Sequence, residues 1–152
     1  MLKARLLASI ILLLGAADLA AVVDRLNRKK VRTPNFDPVQ EDMKRLEGGW
    51  DYAISRGDLA VTIRAGTYTS ADSKGNVRLA AVMKIDPNHT PKWLDMTYIA
   101  GPLKGQTLQA IYELKGDTFT LCIQMDGQGR PTAFRRDGNC DLCVLQRPKK
   151  AR

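Results

Sequence analysis

The chain has 152 residues, of which 44% are hydrophobic, and a formal net charge of +8. This length and composition are enough for one domain with its own apolar core. The positive charge is concentrated at the two ends, since residues 33–146 carry 13 basic and 14 acidic side chains, a net charge of −1. A nearly neutral domain offers no basic groove, so we expect no nucleic-acid partner. The basic ends are either solvated arms or a contact with an anionic membrane or envelope surface.

The N-terminal segment has the pattern of an export signal. Lys3 and Arg5 precede an almost continuous apolar run at residues 6–14, and the small residues that follow offer a cleavage site after Ala17. Apolar residues resume at 19–23, so the alternative to cleavage is a membrane anchor that extends to about residue 23. We therefore expect an exported protein of the periplasm or cell envelope, with or without an anchor.

A basic linker and a short helix are expected next. Residues 24–37 are rich in Lys and Arg and end between two prolines, which disfavour regular structure. A helix is predicted at residues 37–46, because Asp37 can cap it, Pro38 fits its first turn and Glu41 lies near its positive end. At the other end of the chain, residues 149–152 form a basic tail.

The clearest pattern in the remaining chain is a β-hairpin. Apolar residues alternate with polar ones at 108–114 and again at 119–125, on either side of a Lys115-Gly116-Asp117 turn. The flanking segments repeat this pattern, and their connections are too short for crossover helices. An all-β domain over residues 38–148 is therefore predicted, a single antiparallel up-and-down barrel of about eight strands. The predicted strands are residues 50–55, 59–64, 66–71, 76–85, 93–99, 107–114, 118–125, and a last pair of pieces at 132–135 and 142–147.

The inward face of these strands holds mostly large residues. An eight-stranded barrel is either filled by its side chains or holds one small ligand, and bulky inward residues favour the filled case. The predicted interior consists of Trp50, Tyr52, Ile54, Leu59, Val61, Ile63, Val77, Leu79, Ala81, Met83, Ile85, Leu94, Met96, Tyr98, Leu108, Tyr112, Leu114, Phe119, Leu121 and Ile123.

An ordered set of short motifs resembles a known family. The motifs are Glu47-Gly48-Gly49-Trp50, Gly66-Thr67-Tyr68, Ile85-Asp86-Pro87, Pro91-Lys92-Trp93-Leu94-Asp95, Gly105-Gln106-Thr107, Ile111-Tyr112-Glu113-Leu114, Gly116-Asp117, Leu121-Cys122 and Arg130-Pro131-Thr132-x-Phe134. Over about residues 45–148 they resemble the uncharacterised lipocalin-like domains of exported bacterial proteins, which are common in Planctomycetes. The resemblance implies a lipocalin-like barrel and an exported location, and it implies no activity. The segment between Trp50 and Val61 is short for that family.

Two further residues are similar to a structural arrangement of lipocalins. In that arrangement a tryptophan at the closed end of the barrel packs beneath an arginine. The resemblance implies this structural pairing for Trp50, near the start of the first strand, and Arg147, at the end of the last. Such a cation–π contact contributes about 0.5–2 kcal/mol and ties the first strand to the last.

The three cysteines leave several pairings open. In an oxidising compartment, Cys122, Cys140 and Cys143 predict one disulfide, in which Cys140 pairs with Cys143 or with Cys122, and one remaining thiol. The alternative is three unpaired thiols. The Cys140-x-x-Cys143 spacing also occurs in redox and zinc sites, but the second ligand pair of a zinc site is missing, so no metal is expected. Neither cysteine of this motif belongs to the pattern of the lipocalin-like family.

No catalytic constellation is recognisable. The single histidine, His89, falls in a turn, and the carboxylates Asp51, Asp95 and Glu113 fall on the predicted outer faces of strands. Neither a GxxxxGK[ST] motif nor a GxGxxG motif leading into a helix occurs. We therefore expect a protein that is not an enzyme and needs no cofactor.

A small group of residues is the candidate ligand site. Tyr52, Tyr98, Tyr112 and Phe134 are predicted to face the barrel interior, with Arg135 or its neighbour Arg136 near the mouth to meet an anionic head group. They either line a pocket for a small hydrophobic or amphipathic molecule or are ordinary core. The expected function is an exported lipocalin-like binding module. The alternative is a filled barrel that acts as an envelope-anchored interaction or structural module without a small-molecule ligand.

Overall fold

The computed structural model describes residues 36–54 and 56–149. The chain divides into two units, residues 1–36 and 37–152, and nearly all described residues belong to the second. The predicted signal or anchor segment, most of the basic linker and the last three residues of the tail lie outside the described residues. Within the described part, no helix is both long and apolar enough to span a membrane.

A helix, α1, occupies Pro38–Leu46 as predicted. Asp37 caps it, because its side-chain oxygen accepts a hydrogen bond of 2.9 Å from the backbone N–H of Val39. The helix ends at Leu46, and the N–H of its C-cap residue Glu47 donates to the carbonyl of Met43. The chain then enters the first strand directly, so α1 lies at the end of the barrel where that strand begins.

Eight strands follow and close into an antiparallel barrel in which each strand pairs with the next and the last pairs with the first. This confirms the predicted all-β, up-and-down barrel. The strands are β1 Gly48–Tyr52, β2 Ala60–Arg64, β3 Thr67–Ala71, β4 Val77–Asp86, β5 Lys92–Ala100, β6 Thr107–Lys115, β7 Thr118–Gln124 and β8 Cys140–Gln146.

The two ends of the barrel differ. We call the end next to α1 the floor; there the Trp50 indole N–H donates to the Leu46 carbonyl at 2.8 Å. We call the opposite end, where β1 ends and β8 begins, the mouth. The seam between these two strands is short, with only the pairs Asp51↔Gln146 and Tyr52↔Leu145 in register. The start of β8 therefore extends past the last residue of β1 at the mouth.

The barrel interior agrees with the predicted core except at two positions. All other predicted interior residues are buried or partly buried, whereas Ile54 is 67% and Val77 is 54% exposed. Ile54 lies beyond the end of β1, which is shorter than predicted. Val77 lies opposite a register shift in β3, at Ser70 and Ala71. The order of inward-facing and outward-facing residues shifts by one position there, so Val77 faces outward.

The predicted strand at 132–135 is wrong. Residues 125–139, which we call the strap, form a loop between β7 and β8. The Arg130 guanidinium holds this loop against the outside of the barrel by hydrogen bonds to the carbonyls of Leu94 (2.9 Å) and Ala110 (2.6 Å) and to the carboxylate of Asp95 (2.6 Å). The strap thus covers part of the outer face instead of adding a strand.

Candidate functional site

A cavity of about 620 Å³ lies at the mouth end of the barrel, beside the end of β1 and against the outward-facing Leu142 and Val144 of β8. The cavity occupies the place next to the start of β8 where β1 has already ended. No strand pairs with β8 on that side, and this leaves the space open. Its lining combines one aromatic, three charged and three aliphatic residues: Tyr52, Ile54, Arg56, Arg136, Asp141, Leu142 and Val144. Pockets with a few polar groups among apolar walls are typical ligand sites.

An ion pair lies at the rim of this cavity. Arg56 binds Asp141 through two hydrogen bonds, of 3.1 Å from Nη1 and 2.6 Å from Nη2. The pairing raises the pKa of Arg56. Burial opposes ionisation of Asp141, but the hydrogen bond and charge of Arg56 outweigh it and lower the pKa of this carboxyl. Both groups are therefore charged near neutral pH, and Arg56 also lies 5.3 Å from the centroid of the Tyr52 ring.

Behind the rim, tyrosine hydroxyls lead into the barrel. The Tyr52 and Tyr68 hydroxyl oxygens lie 3.0 Å apart, within hydrogen-bond distance. Tyr68 and Tyr98 are 3% and 4% exposed. Burial raises the pKa of Tyr68 and raises that of Tyr98 to about 12, with smaller contributions from neighbours that include Tyr52 and Cys143. The Tyr68 and Tyr98 hydroxyls stay protonated under ordinary conditions and act as neutral hydrogen-bonding groups.

One polar side chain in this region has no partner. Ser70 follows Tyr68 on the inward face of β3 and is 1% exposed. Its hydroxyl is the only buried side-chain polar atom without a hydrogen bond among residues 36–54 and 56–149. Leaving a buried hydroxyl unpaired costs about 1–3 kcal/mol. We call Tyr52, Tyr68, Ser70 and Tyr98 the hydroxyl cluster.

The Cys143 thiol lies beside this cluster. Cys143 is 4% exposed, faces the barrel interior, and donates a weak hydrogen bond to Asp141 at 3.6 Å. Burial raises the pKa of this thiol to about 12. It is therefore protonated at neutral pH and is not an activated nucleophile.

The structure brings together only two of the five predicted ligand residues. Tyr52 and Tyr98 belong to the hydroxyl cluster. Tyr112 lies at the floor, where its hydroxyl donates to Asp42 at 2.7 Å. Phe134 is not in the interior; it packs outside the barrel under the strap. Arg135 has a 70% exposed side chain paired with Asp137 at 2.8 Å, so the prediction placed it at the mouth wrongly.

Several site residues were missed by the sequence analysis. Arg136, only an alternative to Arg135, does line the mouth cavity, together with Arg56 and Asp141. Ser70 and Tyr68 were also missed, because the β3 sequence has polar side chains on both faces and shows no apolar alternation. Arg56 and Asp141 are 85 positions apart, and only the barrel closure brings them into contact.

The three cysteines are buried and unbonded. Cys140 and Cys143 are three residues apart on one strand and face opposite sides of the sheet, so the predicted pairing between them is wrong. No group of three or more His, Cys, Asp and Glu side chains suited to a metal ion occurs within the described ranges.

Comparison with known proteins identifies no relative of this chain. No protein-family model matches it, and neither a curated protein nor a solved structure does. The class that the fold and site define is a closed eight-stranded antiparallel barrel with a polar mouth. That architecture is compatible with a lipocalin-like binding module.

Proposed function

We propose that this protein is an exported lipocalin-like binding module that holds one small amphipathic molecule in the mouth half of its barrel. The observation that carries the proposal is the unpartnered, 1% exposed hydroxyl of Ser70, two residues from Tyr68 on the inward face of β3. Buried polar groups in native proteins are nearly always paired, and an exception calls for a partner such as a ligand or water. Tyr52 lines the mouth cavity and its hydroxyl lies beside that of Tyr68, so this residue links the cavity to the hydroxyl cluster.

The chemistry of the cluster defines the ligand class. Protonated tyrosine and serine hydroxyls both donate and accept hydrogen bonds, so they suit a neutral oxygen such as a hydroxyl or carbonyl group. Ser70 lies between Val61 and Leu79 on the neighbouring strands, and these side chains offer apolar walls. The ligand should therefore have an apolar body and one neutral polar group.

Its size is limited by the floor. Trp50, Tyr112 and Phe119 are at most 1% exposed and fill that half of the barrel. The Trp50 and Phe119 ring centroids are 5.7 Å apart, and those of Tyr112 and Phe119 are 6.3 Å apart. We therefore expect the ligand to be a compact ring system or a short chain.

The groups around the mouth support a role in binding rather than in catalysis. The Cys143 thiol has a pKa of about 12, and the Asp141 carboxylate is occupied by Arg56. A nucleophile and a general base in contact would be needed for covalent catalysis. The groups around the mouth instead supply hydrogen bonds and charge.

The test uses prodan, a neutral naphthalene ketone whose fluorescence reports on its surroundings. We expect saturable 1:1 binding, with Ser70→Ala and Tyr98→Phe each weakening affinity about tenfold, the loss of roughly one buried hydrogen bond. Tyr112→Phe, which removes an interior hydroxyl at the floor, is the matched control and should change affinity less than about twofold. Circular dichroism checks that each variant is folded.

Ser70→Ala also separates ligand binding from stability. Removing an unpaired buried hydroxyl should raise the free energy of unfolding of the ligand-free protein by about 1 kcal/mol while it lowers affinity. A variant that loses stability, or that binds prodan as well as the unmodified protein, would contradict the proposed site. Native mass spectrometry of protein taken from its own cell envelope then identifies a bound molecule that is lost on denaturation.

One observation favours the second function, a filled barrel that contacts another protein. Val82 and Ile99, on the outer faces of adjacent strands β4 and β5, are 46% and 48% exposed. Such side chains are common on protein interfaces when they cluster. An unliganded native mass with residues 1–17 still attached, together with no prodan binding, would favour this function.

A further inference from the structure

A second apolar cluster lies outside the barrel, beneath the strap. Its buried members are Ile111, Cys122 and Cys140, and Phe134 and Leu142 pack against it. Cys122 is 0% and Cys140 is 7% exposed. The strap closes over the two cysteines from the solvent side, because the Cys122 thiol donates to the carbonyl of Arg135 at 3.4 Å.

The strand register places these two cysteines on the same face. Cys122 of β7 lies opposite Leu142, and Gln124 lies opposite Cys140 of β8, so Cys122 and Cys140 are diagonal neighbours on adjacent antiparallel strands. Cys143 packs in the barrel core, on the other side of the sheet. Of the three cysteine pairs, only Cys122 with Cys140 can meet without crossing the sheet.

The side chains of the pair are already in contact range. Cys140 interacts with the Cys122 thiol and donates to the Gln124 side-chain oxygen at 3.3 Å. Burial and the neighbouring Cys122 raise the pKa of Cys140 to about 11, so the Cys140 thiol is largely protonated near neutral pH. The two cysteines are thus neighbours, but a protonated Cys140 thiol reacts slowly. Disulfide formation therefore needs an oxidant that can reach the start of β8.

We propose that Cys122 and Cys140 form an intramolecular disulfide in an oxidising compartment, which locks the strap to the barrel and leaves Cys143 as a free thiol inside. The oxidant is a disulfide, either of a thiol–disulfide oxidoreductase or of glutathione. The Cys140 thiolate attacks it, forms a mixed disulfide and releases one thiolate; the Cys122 thiolate then displaces the second. The protein loses two protons and two electrons, and the oxidant's disulfide is reduced to two thiols.

Closing the bond requires a small movement at the start of β8. Diagonal cross-strand neighbours have Cα atoms about 7–8 Å apart, and a disulfide requires about 4.4–6.8 Å. Cys140 is the first residue of its strand and follows the strap. On its other side β1 has already ended, so no second strand restrains it. A shift of about 1 Å at the start of β8 therefore disturbs its pairing with β7 and the hydrogen bonds of Cys140 to Asp137, but it leaves the seam with β1 in place.

The sequence permits a direct assignment of the bond. The purified full chain is incubated with oxidised glutathione, its remaining thiols are alkylated, and it is cleaved before aspartates. This cleavage places Cys122, Cys140 and Cys143 in the separate peptides 117–125, 137–140 and 141–152. We expect peptides 117–125 and 137–140 to be linked, peptide 141–152 to be alkylated, and the free-thiol count to fall from three to one.

Two variants complete the test. Cys143→Ala should still form the bond, whereas Cys140→Ser should form no intramolecular bond. Oxidation should raise the melting temperature of the unmodified protein and of Cys143→Ala by at least about 5 °C, and that of Cys140→Ser should not change, because the crosslink restricts only the unfolded chain that contains it. Three thiols that survive the oxidant, a link to peptide 141–152, or an intermolecular dimer would each overturn the proposal. The result does not depend on whether a ligand binds at the mouth.

Discussion

The guanidinium carbon of Arg147 lies 3.7 Å from the centroid of the Trp50 indole ring at the floor of the barrel. The same guanidinium donates to the carbonyl of Gly49 at 3.1 Å and to that of Arg45 at 2.5 Å. One side chain, just after β8, thus joins the end of α1, the start of β1 and the buried indole. Burial lowers the pKa of Arg147, which shows that this charge is partly withdrawn from water.

Replacing Arg147 should weaken the closure of the barrel. Arg147→Met keeps a long apolar side chain but removes the cation–π contact and both hydrogen bonds, so we expect the free energy of unfolding to fall by about 2–3 kcal/mol. Lys149→Met, in the exposed tail, is the control and should change it by less than about 0.5 kcal/mol. Urea unfolding followed by tryptophan fluorescence measures both. Equal effects of the two substitutions would argue against a closing role for Arg147.

A buried carboxylate joins α1 to the floor. Asp42 is 4% exposed and accepts hydrogen bonds from the Lys92 ammonium at 2.5 Å and from the Tyr112 hydroxyl at 2.7 Å. Asp42→Ala leaves both donors without their acceptor, so it should destabilise the protein by about 3 kcal/mol. Glu41→Ala, on the exposed side of the same helical turn, should cost less than about 0.5 kcal/mol. Thermal unfolding of the two variants makes the comparison, and a loss below 1 kcal/mol for Asp42→Ala would contradict this account.

The barrel was predictable because burial on one face of a strand imposes alternation. In β6 and β7 apolar residues alternate with polar ones on either side of the Lys115-Gly116-Asp117 turn, and both strands lie where predicted. Phe134 shows where the same logic fails. A short segment that contains apolar residues also suits a loop that packs on the outside of a sheet, and only the contact with Ile111 and Cys122 distinguishes the two.

The mouth was less predictable than the core. Tyr52 and Tyr98 were recognisable as aromatic residues at inward positions. Ser70 carries no hydrophobic signal, and its significance comes from the absence of a hydrogen-bond partner in the described part of the barrel. The pair Arg56 and Asp141 depends on where β1 ends, and strand ends are poorly defined by sequence patterns.

Alanine substitutions at two glycines in the loop after β5 distinguish the cost of backbone strain from the cost of a steric clash. Gly101 and Gly105 have similar positive φ angles, +92° and +88°, so an added Cβ strains both. A Cβ on Gly101 would lie 2.6 Å from the carbonyl oxygen of Arg78, whereas one on Gly105 would have no heavy atom within 4 Å. Gly101→Ala should therefore destabilise the protein by about 1–3 kcal/mol more than Gly105→Ala. Chemical denaturation of the pair decides this, and equal losses would show that the loop relaxes freely.

Alkaline pH should unfold the protein through groups that the interior keeps neutral. Burial raises the pKa of the Cys143 thiol from about 9 to about 12 and that of Tyr98 from about 10 to about 12. At a pH between the pKa of such a group in the unfolded chain and its raised pKa in the folded protein, the unfolded chain binds fewer protons than the folded one. The free energy of unfolding therefore falls as pH rises. This stabilisation is complete below about pH 9 and is lost progressively as pH approaches 12.

Cys143→Ala isolates one contribution to this pH dependence. Each such group contributes a slope of up to about 1.4 kcal/mol per pH unit between its unfolded and folded pKa values. Urea titrations at pH 8 to 11, under reducing conditions, should therefore give a shallower decline for Cys143→Ala than for the unmodified protein. Met125→Ala removes a sulfur that does not titrate and should keep the original slope. If Cys143→Ala also keeps that slope, the thiol must already reach water in the folded barrel, and the mouth must extend further inward than its buried position indicates.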